Sequence, residues 1–163
     1  MADYLANLGF DLICGGTDGL MQVCDEAFLN KGRKVSIMAV SKYYSVNEEN
    51  VDVSDWNSIA ERKNAIMNKT SLLVFLPGGL GTLDEIFSAI ESKRAKEHDK
   101  TIVIVNIDGY YDNLLSQLNH MCEENFGNDS DKQFYYVASN VDEAIKYIEE
   151  MGIINEGKNR NIN

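Results

Sequence analysis

The chain has 163 residues, a size that suits one domain with a hydrophobic core and is too small for two. Hydrophobic residues make up 44% of it and charged residues 25%, which excludes a disordered, collagen-like or coiled-coil protein. Its 15 basic and 26 acidic residues give a formal net charge of −11, and so acidic a surface repels a nucleic-acid backbone. We therefore expect no nucleic-acid partner.

Cysteine usage and hydropathy indicate the compartment. The three cysteines, Cys14, Cys24 and Cys122, are an odd number without a close pair, and no charged and then apolar leader precedes Leu5. We interpret this as a reducing, cytoplasmic location, with Cys14 and Cys24 as buried thiols. The longest clean apolar run, Leu72 to Leu76, has five residues against the roughly 20 that a membrane helix needs, so no membrane partner is expected.

Short runs rich in Val, Ile and Leu alternate along the chain with longer stretches of helical period. This alternation is typical of a parallel sheet with crossover helices and predicts an α/β fold. In chain order the predicted elements are helix Tyr4–Leu8, strand Phe10–Cys14, helix Leu20–Asn30, strand Lys34–Val40, helix Asp55–Asn68, strand Ser71–Leu76, helix Thr82–Lys96, strand Thr101–Asn106, helix Tyr111–Glu124, strand Phe134–Val137 and helix Val141–Met151.

No internal linker or repeat interrupts this pattern, so we predict a single domain over residues 1–154 and a flexible polar tail over 155–163. The first helix, ended by Gly9, comes before any predicted strand. Because a doubly wound sheet usually opens with a central strand, we expect that strand to be missing here.

Two glycine-rich segments stand where a predicted strand ends and a predicted helix begins. They are Gly15-Gly16-Thr17-Asp18-Gly19 after Cys14 and Pro77-Gly78-Gly79-Leu80-Gly81-Thr82 after Leu76. At the carboxyl edge of an α/β sheet, glycines let backbone N–H groups approach a ligand, and the following helix adds free donors and partial positive charge. Both segments therefore predict an anion site, above all for phosphate. The alternative is that these glycines only make tight connections or cap helices.

Two interpretations of Glu85 stay open. Thr82 and Glu85 have the spacing of a capping box, in which each side chain accepts a bond from the other residue's backbone N–H group. Alternatively, a carboxylate in the first turn of a helix beside a phosphate site lies within reach of a sugar attached to that phosphate. The first interpretation makes Glu85 structural, and the second makes it catalytic.

Arg62 and Lys63 interrupt the apolar stripe of the predicted helix Asp55–Asn68. Arg62 is three residues after Ile59 and four before Ile66, so the pair lies at or beside the inward face of this helix. Long cations in such places often extend outward to solvent. Two adjacent ones just before the strand that leads to Pro77 favour a phosphate or carboxylate partner instead.

The sequence lacks the motif spacings that three other kinds of site require. In the second turn Asp84 stands where the third glycine of the dinucleotide fingerprint belongs. His98 and His120 have no second His or Cys at metal-ligand spacing, and no nucleophile-elbow motif is present. We therefore expect no NAD site of that kind, no metal and no acyl hydrolase.

Together these motifs resemble one known family. The combination of Gly15-Gly16-x-x-Gly19-Leu20-Met21, Arg62-Lys63 and Pro77-Gly78-Gly79-x-Gly81-Thr82-x-x-Glu85 is similar to the Lonely Guy family of cytokinin riboside 5'-monophosphate phosphoribohydrolases, often mislabelled lysine decarboxylases. The resemblance runs from about Tyr4 to Ile148.

The resemblance implies a Rossmann-like, doubly wound and mostly parallel sheet with helices on both faces, usually in a homodimer or higher homo-oligomer. It implies cleavage of the N-glycosidic bond of a nucleoside 5'-monophosphate, such as AMP or a cytokinin riboside monophosphate, without a redox cofactor or metal. By position, Glu85 would face the ribose and Arg62 would act with it. The implied substrate-binding residues are Gly15, Gly16, Gly19, Lys63, Gly78, Gly79, Gly81 and Thr82.

Besides the first strand of the family, which we expect to be missing, the sequence departs from the family pattern at three places. Thr17 replaces the usual third glycine of the first turn, Ile59-Ala60 stands where the family carries Met-His, and Glu91-Ser92 stands where it tends to carry Thr-Trp. Two other functions therefore stay open. One is a module that senses or sequesters a nucleotide without cleaving it, and the other is a ribosyl or deoxyribosyl transferase.

Overall fold

The computed structural model describes residues 1–16, 19–40 and 51–152. Within them helices and strands alternate, and every strand pair is parallel, which confirms the predicted α/β class. The strands are β1 (Leu12–Cys14), β2 (Val35–Val40), β3 (Val51–Trp56), β4 (Leu72–Phe75), β5 (Thr101–Val105) and β6 (Tyr136–Ala138). The helices are α1 (Ala2–Asn7), α2 (Leu20–Leu29), α3 (Ile59–Lys69), α4 (Leu80–Arg94), α5 (Asp112–Glu123) and α6 (Val141–Glu150).

The sequence analysis missed strand β3 and began the following helix too early, at Asp55. In the structure Val51–Trp56 pairs with β2 along its whole length, and α3 begins only at Ile59. The polar residues of this strand interrupt the apolar run by which the other strands were recognised. Ser58 then starts the helix, because its hydroxyl accepts a hydrogen bond of 3.2 Å from the Glu61 amide.

The chain forms two compact units, which we describe separately. Unit 1 contains residues 1–70 together with 151–152 of the described chain. Its sheet has the order β1-β2-β3, with α2 packed against β1 and β2 and α3 against β2 and β3. Helix α1 packs against α2 and is followed, after its C-cap Leu8, by Gly9, whose φ of +96° suits a residue without a side chain. The buried apolar residues of the unit are Leu5, Ala6, Phe28, Val35, Ile37, Met38, Ala39 and Val40.

Unit 2 contains residues 71–150 and has a parallel sheet in the order β4-β5-β6. All five residues of the middle strand β5 are buried, as expected of a parallel strand covered on both faces. Helix α6 packs against β5 and β6. The adjacent parallel strands β4 and β5 bring the segments that follow them, the Pro77 turn and the loop before α5, to the same edge of this sheet.

The remaining predictions about chain organisation have different outcomes. Helix α1 precedes the first described strand, as predicted. The single domain over 1–154 and the missing central strand stay predictions, and the tail 155–163 lies outside the described residues. Among the residues that the structure describes, no helix is both long and apolar enough to span a membrane.

Candidate active site

The second glycine turn connects β4 to α4 within unit 2. Helix α4 begins at Leu80 and Gly79 is its N-cap, two residues earlier than the sequence predicted. Thr82 and Glu85 therefore lie inside the helix, and of the two interpretations left open for Glu85, the capping box at the helix start is wrong. The error arose because a Thr-x-x-Glu spacing resembles a helix start, whereas glycine at the N-cap has no side chain by which it can be recognised.

This start leaves backbone donors at the first turn of α4. The amide of Leu83 donates to the Gly79 carbonyl over 3.1 Å, which is the first hydrogen bond of the helical pattern. By helix geometry the four preceding amides, those of Gly79, Leu80, Gly81 and Thr82, have no carbonyl partner within the helix. Gly79 has no side chain that could cap them. These amides, together with the positive end of the helix dipole, form a site suited to an anion.

The glycines of this turn differ in the reason for which they are needed. A Cβ at Gly78 would collide with the Thr82 side chain, whose own Cβ would be only 2.8 Å away, so packing requires glycine there. A Cβ at Gly79 or Gly81 would meet no atom within 4 Å among the described residues, and neither glycine has a positive φ. Neither packing nor backbone conformation within the described chain therefore explains Gly79 and Gly81.

Glu85 lies on the same side of α4 as Gly81, where a Cβ would meet no atom of the described residues within 4 Å. We call this side of the helix start the open surface. Glu85 is four residues after Gly81 and three after Thr82, and such positions are neighbours on one helix face. Glu85 is half-buried, and its position on the helix belongs to the face that includes Gly81 and Thr82. This arrangement places a carboxylate about one helical turn from the first-turn amides.

The first glycine turn lies in unit 1 and follows β1. The Nη1 atom of Arg62 donates to the Gly15 carbonyl over 3.3 Å, and the Nε atom of the same side chain is buried. The structure thus brings Arg62 of α3 to the first glycine turn, while Lys63 lies half-buried beside it on α3. Gly19 caps α2 with φ +61° and ψ −125°, a conformation that side-chain-bearing residues rarely adopt. Thr17 lies outside the described residues.

A thiol and a buried carboxylate also support the first turn. The Cys14 thiol lies 3.2 Å from the Gly16 carbonyl oxygen and 3.3 Å from Oδ1 of Asp25, which is 4% exposed. Burial, followed by the Asp25 carboxylate, raises the pKa of Cys14 to about 12. Burial also raises the pKa of Cys24. Cys14 and Cys24 are half-buried, less than predicted, and their chemistry is that of inert thiols.

The sequence analysis missed two residues at the second turn. The Tyr111 hydroxyl donates to the Leu76 carbonyl over 2.6 Å, and the Tyr110 hydroxyl donates to the Gly78 carbonyl over 2.7 Å. A usable signal was their place in the chain, because they follow a buried strand predicted to be parallel to the one that precedes Pro77. The assignment of Tyr111 to a helix start concealed this role.

A cavity at the opposite end of α4 does not compete with this site. It is lined by Lys93, Lys96, His98, Asp99 and Phe134. Its His98 ring contacts the Ala89 carbonyl through Nε2 and accepts from the Lys100 amide through Nδ1. Burial lowers the pKa of His98, so the ring is neutral and holds the loop between α4 and β5.

Comparison with known proteins identifies the family. Residues 21–148 match the family model described as possible lysine decarboxylase, which covers more than half of the chain. The cytokinin riboside 5'-monophosphate phosphoribohydrolase LOG4 of Arabidopsis thaliana is 32% identical over 160 residues, covering 91% of this chain and 74% of LOG4. The chain belongs to the Lonely Guy family. Its predicted family membership is thereby confirmed.

Coverage differs among relatives of the Lonely Guy family. The probable cytokinin riboside 5'-monophosphate phosphoribohydrolase LOGL2 of Oryza sativa subsp. japonica is 34% identical over 140 residues, which cover 83% of this chain but only 57% of LOGL2. Among solved structures, TM1055 has a TM-score of 0.64 at 18% identity, over 91% of this chain and 83% of that one. The molybdenum cofactor carrier protein of Chlamydomonas reinhardtii has a TM-score of 0.62 at 19% identity, over 91% and 81%. These two structures support the fold alone.

The Cys14 environment predicts resistance to alkylation. At pH 8 a thiol of pKa about 12 is ionised to about 1 part in 10,000, against about one tenth for a thiol of pKa near 9. We expect iodoacetamide to label Cys14 about 1,000-fold more slowly in the folded protein than in urea, as measured by peptide mass spectrometry. Because folding raises this pKa, the thiol contributes stability below pH 9 that is lost as the pH rises towards 12. Equal labelling rates of Cys14 in the folded protein and in urea would contradict the raised pKa of this thiol.

The two kinds of glycine predict opposite effects of the same substitution. Gly78→Ala places a methyl group against Thr82 and is expected to lower the free energy of unfolding by about 1–3 kcal/mol. Gly81→Ala adds a methyl group in open space near the start of a helix and is expected to leave stability unchanged or raise it by up to about 1 kcal/mol. Urea unfolding of both variants measures the difference.

The two glycine variants serve as controls for each other, because each adds one methyl group to the same turn. Binding of inorganic phosphate by the folded Gly81→Ala variant is expected to weaken, since the methyl group covers the surface beside the first-turn amides. A Gly81→Ala variant that unfolds as readily as Gly78→Ala, or that binds phosphate as tightly as the wild type, would show that the open surface has been assigned incorrectly.

Proposed function

We propose that this protein hydrolyses the N-glycosidic bond of a nucleoside 5'-monophosphate to give a free base and ribose 5-phosphate. The proposal is supported by the family and by the activity named for its relatives in rice and Arabidopsis thaliana. The structural observation that carries it is the start of α4, where uncapped amides and the Glu85 carboxylate lie on one helix face about a turn apart.

In this proposal the amides at the start of α4 bind the 5'-phosphate. A phosphate group accepts several hydrogen bonds at once, and its charge is favoured by the positive end of the helix. This local site explains how a chain with a net charge of −11 can bind an anion. Gly79 and Gly81 let the phosphate approach the backbone closely, and Gly78 gives the Thr82 side chain room to pack against the turn.

Glu85 acts on the ribose. Water attacks the anomeric carbon, the bond from this carbon to the base breaks, and its electron pair leaves with the base nitrogen, which takes up a proton. The sugar becomes positively charged in the transition state, and a carboxylate at that point stabilises this charge or directs the water. The 5'-phosphate and the anomeric carbon lie at opposite ends of the ribose. The distance of about one helical turn between the first-turn amides and Glu85 suits amides that bind the phosphate and a carboxylate that acts at the anomeric carbon.

Arg62 supplies positive charge at the first glycine turn. One of its guanidinium nitrogens is already engaged by the Gly15 carbonyl, which orients the planar group. A planar guanidinium suits a phosphate or carboxylate oxygen. Arg62 belongs to unit 1 and Glu85 to unit 2.

AMP or a cytokinin riboside monophosphate is the proposed type of substrate. At the position where the family tends to carry Thr-Trp, the exposed Glu91 forms two hydrogen bonds, of 2.6 and 2.7 Å, with Arg94 on its own helix. This pairing with Arg94 lowers the pKa of Glu91. Its neighbour Ser92 stands where the family tends to carry the aromatic residue. Base preference is therefore the property in which this protein is expected to differ most from its relatives.

A non-catalytic nucleotide-binding module is the second candidate. It is favoured by Ala60, which cannot transfer a proton where the family carries histidine. Incubation of the folded protein with AMP and related monophosphates, followed by chromatography for free base, distinguishes the two. Release of free base supports the hydrolase, and bound but intact nucleotide supports the module. A new nucleoside formed after addition of a competing free base indicates a ribosyl transferase.

Glu85→Gln provides the sharpest test of the chemistry. The variant keeps the size of the side chain and removes its charge, so we expect turnover to fall at least about 100-fold. Because the phosphate is held by backbone amides, binding of ribose 5-phosphate should remain measurable by calorimetry. The melting temperature is expected to stay within a few degrees of the wild type, since glutamine keeps the size of the side chain and can still form hydrogen bonds.

Asp84→Asn is the matched control, because it removes the same charge from the adjacent, exposed position of the same helix. It is expected to retain most of the activity. If Glu85→Gln lowers only the melting temperature and activity per folded molecule is intact, Glu85 is structural and the proposed mechanism is wrong.

A further inference from the structure

Two consecutive tyrosines of unit 2 form hydrogen bonds with the backbone of the Pro77 turn. The hydroxyls of Tyr111 and Tyr110 donate to the carbonyls of Leu76 and Gly78, over 2.6 and 2.7 Å, short distances that are typical of well-formed O–H···O bonds. The two acceptors lie on either side of Pro77. The rings meet edge to face, with centroids 5.0 Å apart and planes at 89°.

The loop that carries these tyrosines is itself fixed. The Asn106 side chain accepts a bond of 2.6 Å from the Tyr111 amide and donates one of 2.8 Å to Asp112. Asp108 and Gly109 both have positive φ, at 51° and 72°, which turns the chain sharply after β5. A Cβ at Gly109 would lie 2.5 Å from the Asp112 carboxylate. These constraints define the backbone from which both rings extend.

The two tyrosines have different surroundings. Tyr111 is 2% exposed, and burial raises the pKa of its hydroxyl, so it remains a hydrogen-bond donor at neutral pH. Its acceptor, the Leu76 carbonyl, shares a peptide bond with the Pro77 nitrogen, which has no hydrogen. Tyr111 therefore anchors the point where the turn leaves β4. Tyr110 is 55% exposed, so packing of its ring into the core does not explain its position.

The bond from Tyr110 determines the direction of an amide. A peptide unit is planar and trans, so the Gly78 carbonyl and the Gly79 N–H group point in opposite directions. Glycine lies on both sides of this peptide, and without side chains the unit can rotate at little steric cost. By holding the carbonyl oxygen, the Tyr110 hydroxyl fixes the direction of the N–H group at the N-cap of α4.

We propose that Tyr110 is a positioning residue for the phosphate-binding turn, acting through the Gly78 carbonyl on the orientation of the Gly79 amide. The inference rests on the proposed function, because it assigns this amide to the 5'-phosphate. Tyr110 does not touch the reacting bond in this account. Its hydroxyl keeps the backbone donor oriented before the ligand arrives, which lowers the entropic cost of binding.

Tyr110→Phe tests this inference, because it keeps the ring and removes only the hydroxyl. The loss of one hydrogen bond is expected to weaken ribose 5-phosphate binding about tenfold and to raise KM for AMP by a similar factor. The value of kcat is expected to change less than twofold, and the melting temperature by less than about 2 °C, since the ring is on the surface. A purely structural role would change the melting temperature and leave KM unaltered.

Tyr136→Phe is the matched control, since it also removes one tyrosine hydroxyl. Tyr136 is the first residue of β6, and its hydroxyl donates to Glu143 over 2.8 Å. This variant is expected to leave KM and ribose 5-phosphate binding unchanged. If wild-type protein cleaves AMP and Tyr110→Phe has the same KM for AMP and the same affinity for ribose 5-phosphate, the positioning role is wrong and the proposed function stands. If wild-type protein neither cleaves a monophosphate nor binds ribose 5-phosphate, the proposed function fails and this inference with it.

Discussion

The candidate site depends on the way in which α4 begins. A strand ends at Phe75, a proline fixes the backbone two residues later, and a helix starts at Leu80 with glycine as its cap. A helix that starts in this way has several amides without carbonyl partners and no side chain of its own to satisfy them. Solvent or a ligand can bind these amides. The proposed phosphate site, the role of Glu85 and the function of the tyrosine loop all follow from this constraint.

The glycines around the site show that one residue type serves different purposes. Gly19 is needed for its positive φ, and Gly78 is needed because the Thr82 side chain occupies the space where a Cβ would lie. Gly79 and Gly81 meet neither condition within the described chain. A glycine with no internal explanation is the one most simply explained by the close approach of a ligand. The sequence alone presents all four as similar members of two glycine-rich turns.

How much of the fold and the site could be predicted depends on the pattern that each element leaves in the sequence. Buried strands such as β5 are continuous apolar runs and were located to within a residue, whereas β3 was missed because Asp and Ser interrupt it. The sequence analysis placed Arg62 at or beside the inward face of an amphipathic helix and favoured a phosphate or carboxylate partner for it. The structure shows a contact with the Gly15 carbonyl, which the sequence analysis did not predict. The hydrogen bonds of Tyr110 and Tyr111 join residues more than 30 positions apart, and such contacts depend on strand order, which local patterns do not specify.

The central claim is that the amides from Gly79 to Thr82 bind the phosphate of a sugar phosphate. A ¹H–¹⁵N NMR titration of the full chain with ribose 5-phosphate, compared with ribose at the same concentrations, tests it most directly. The account predicts that the largest shifts occur at the amides of Gly79, Leu80, Gly81 and Thr82, and that ribose alone leaves them in place. Binding of ribose 5-phosphate that leaves these amides unshifted, or equal shifts with ribose, would contradict it.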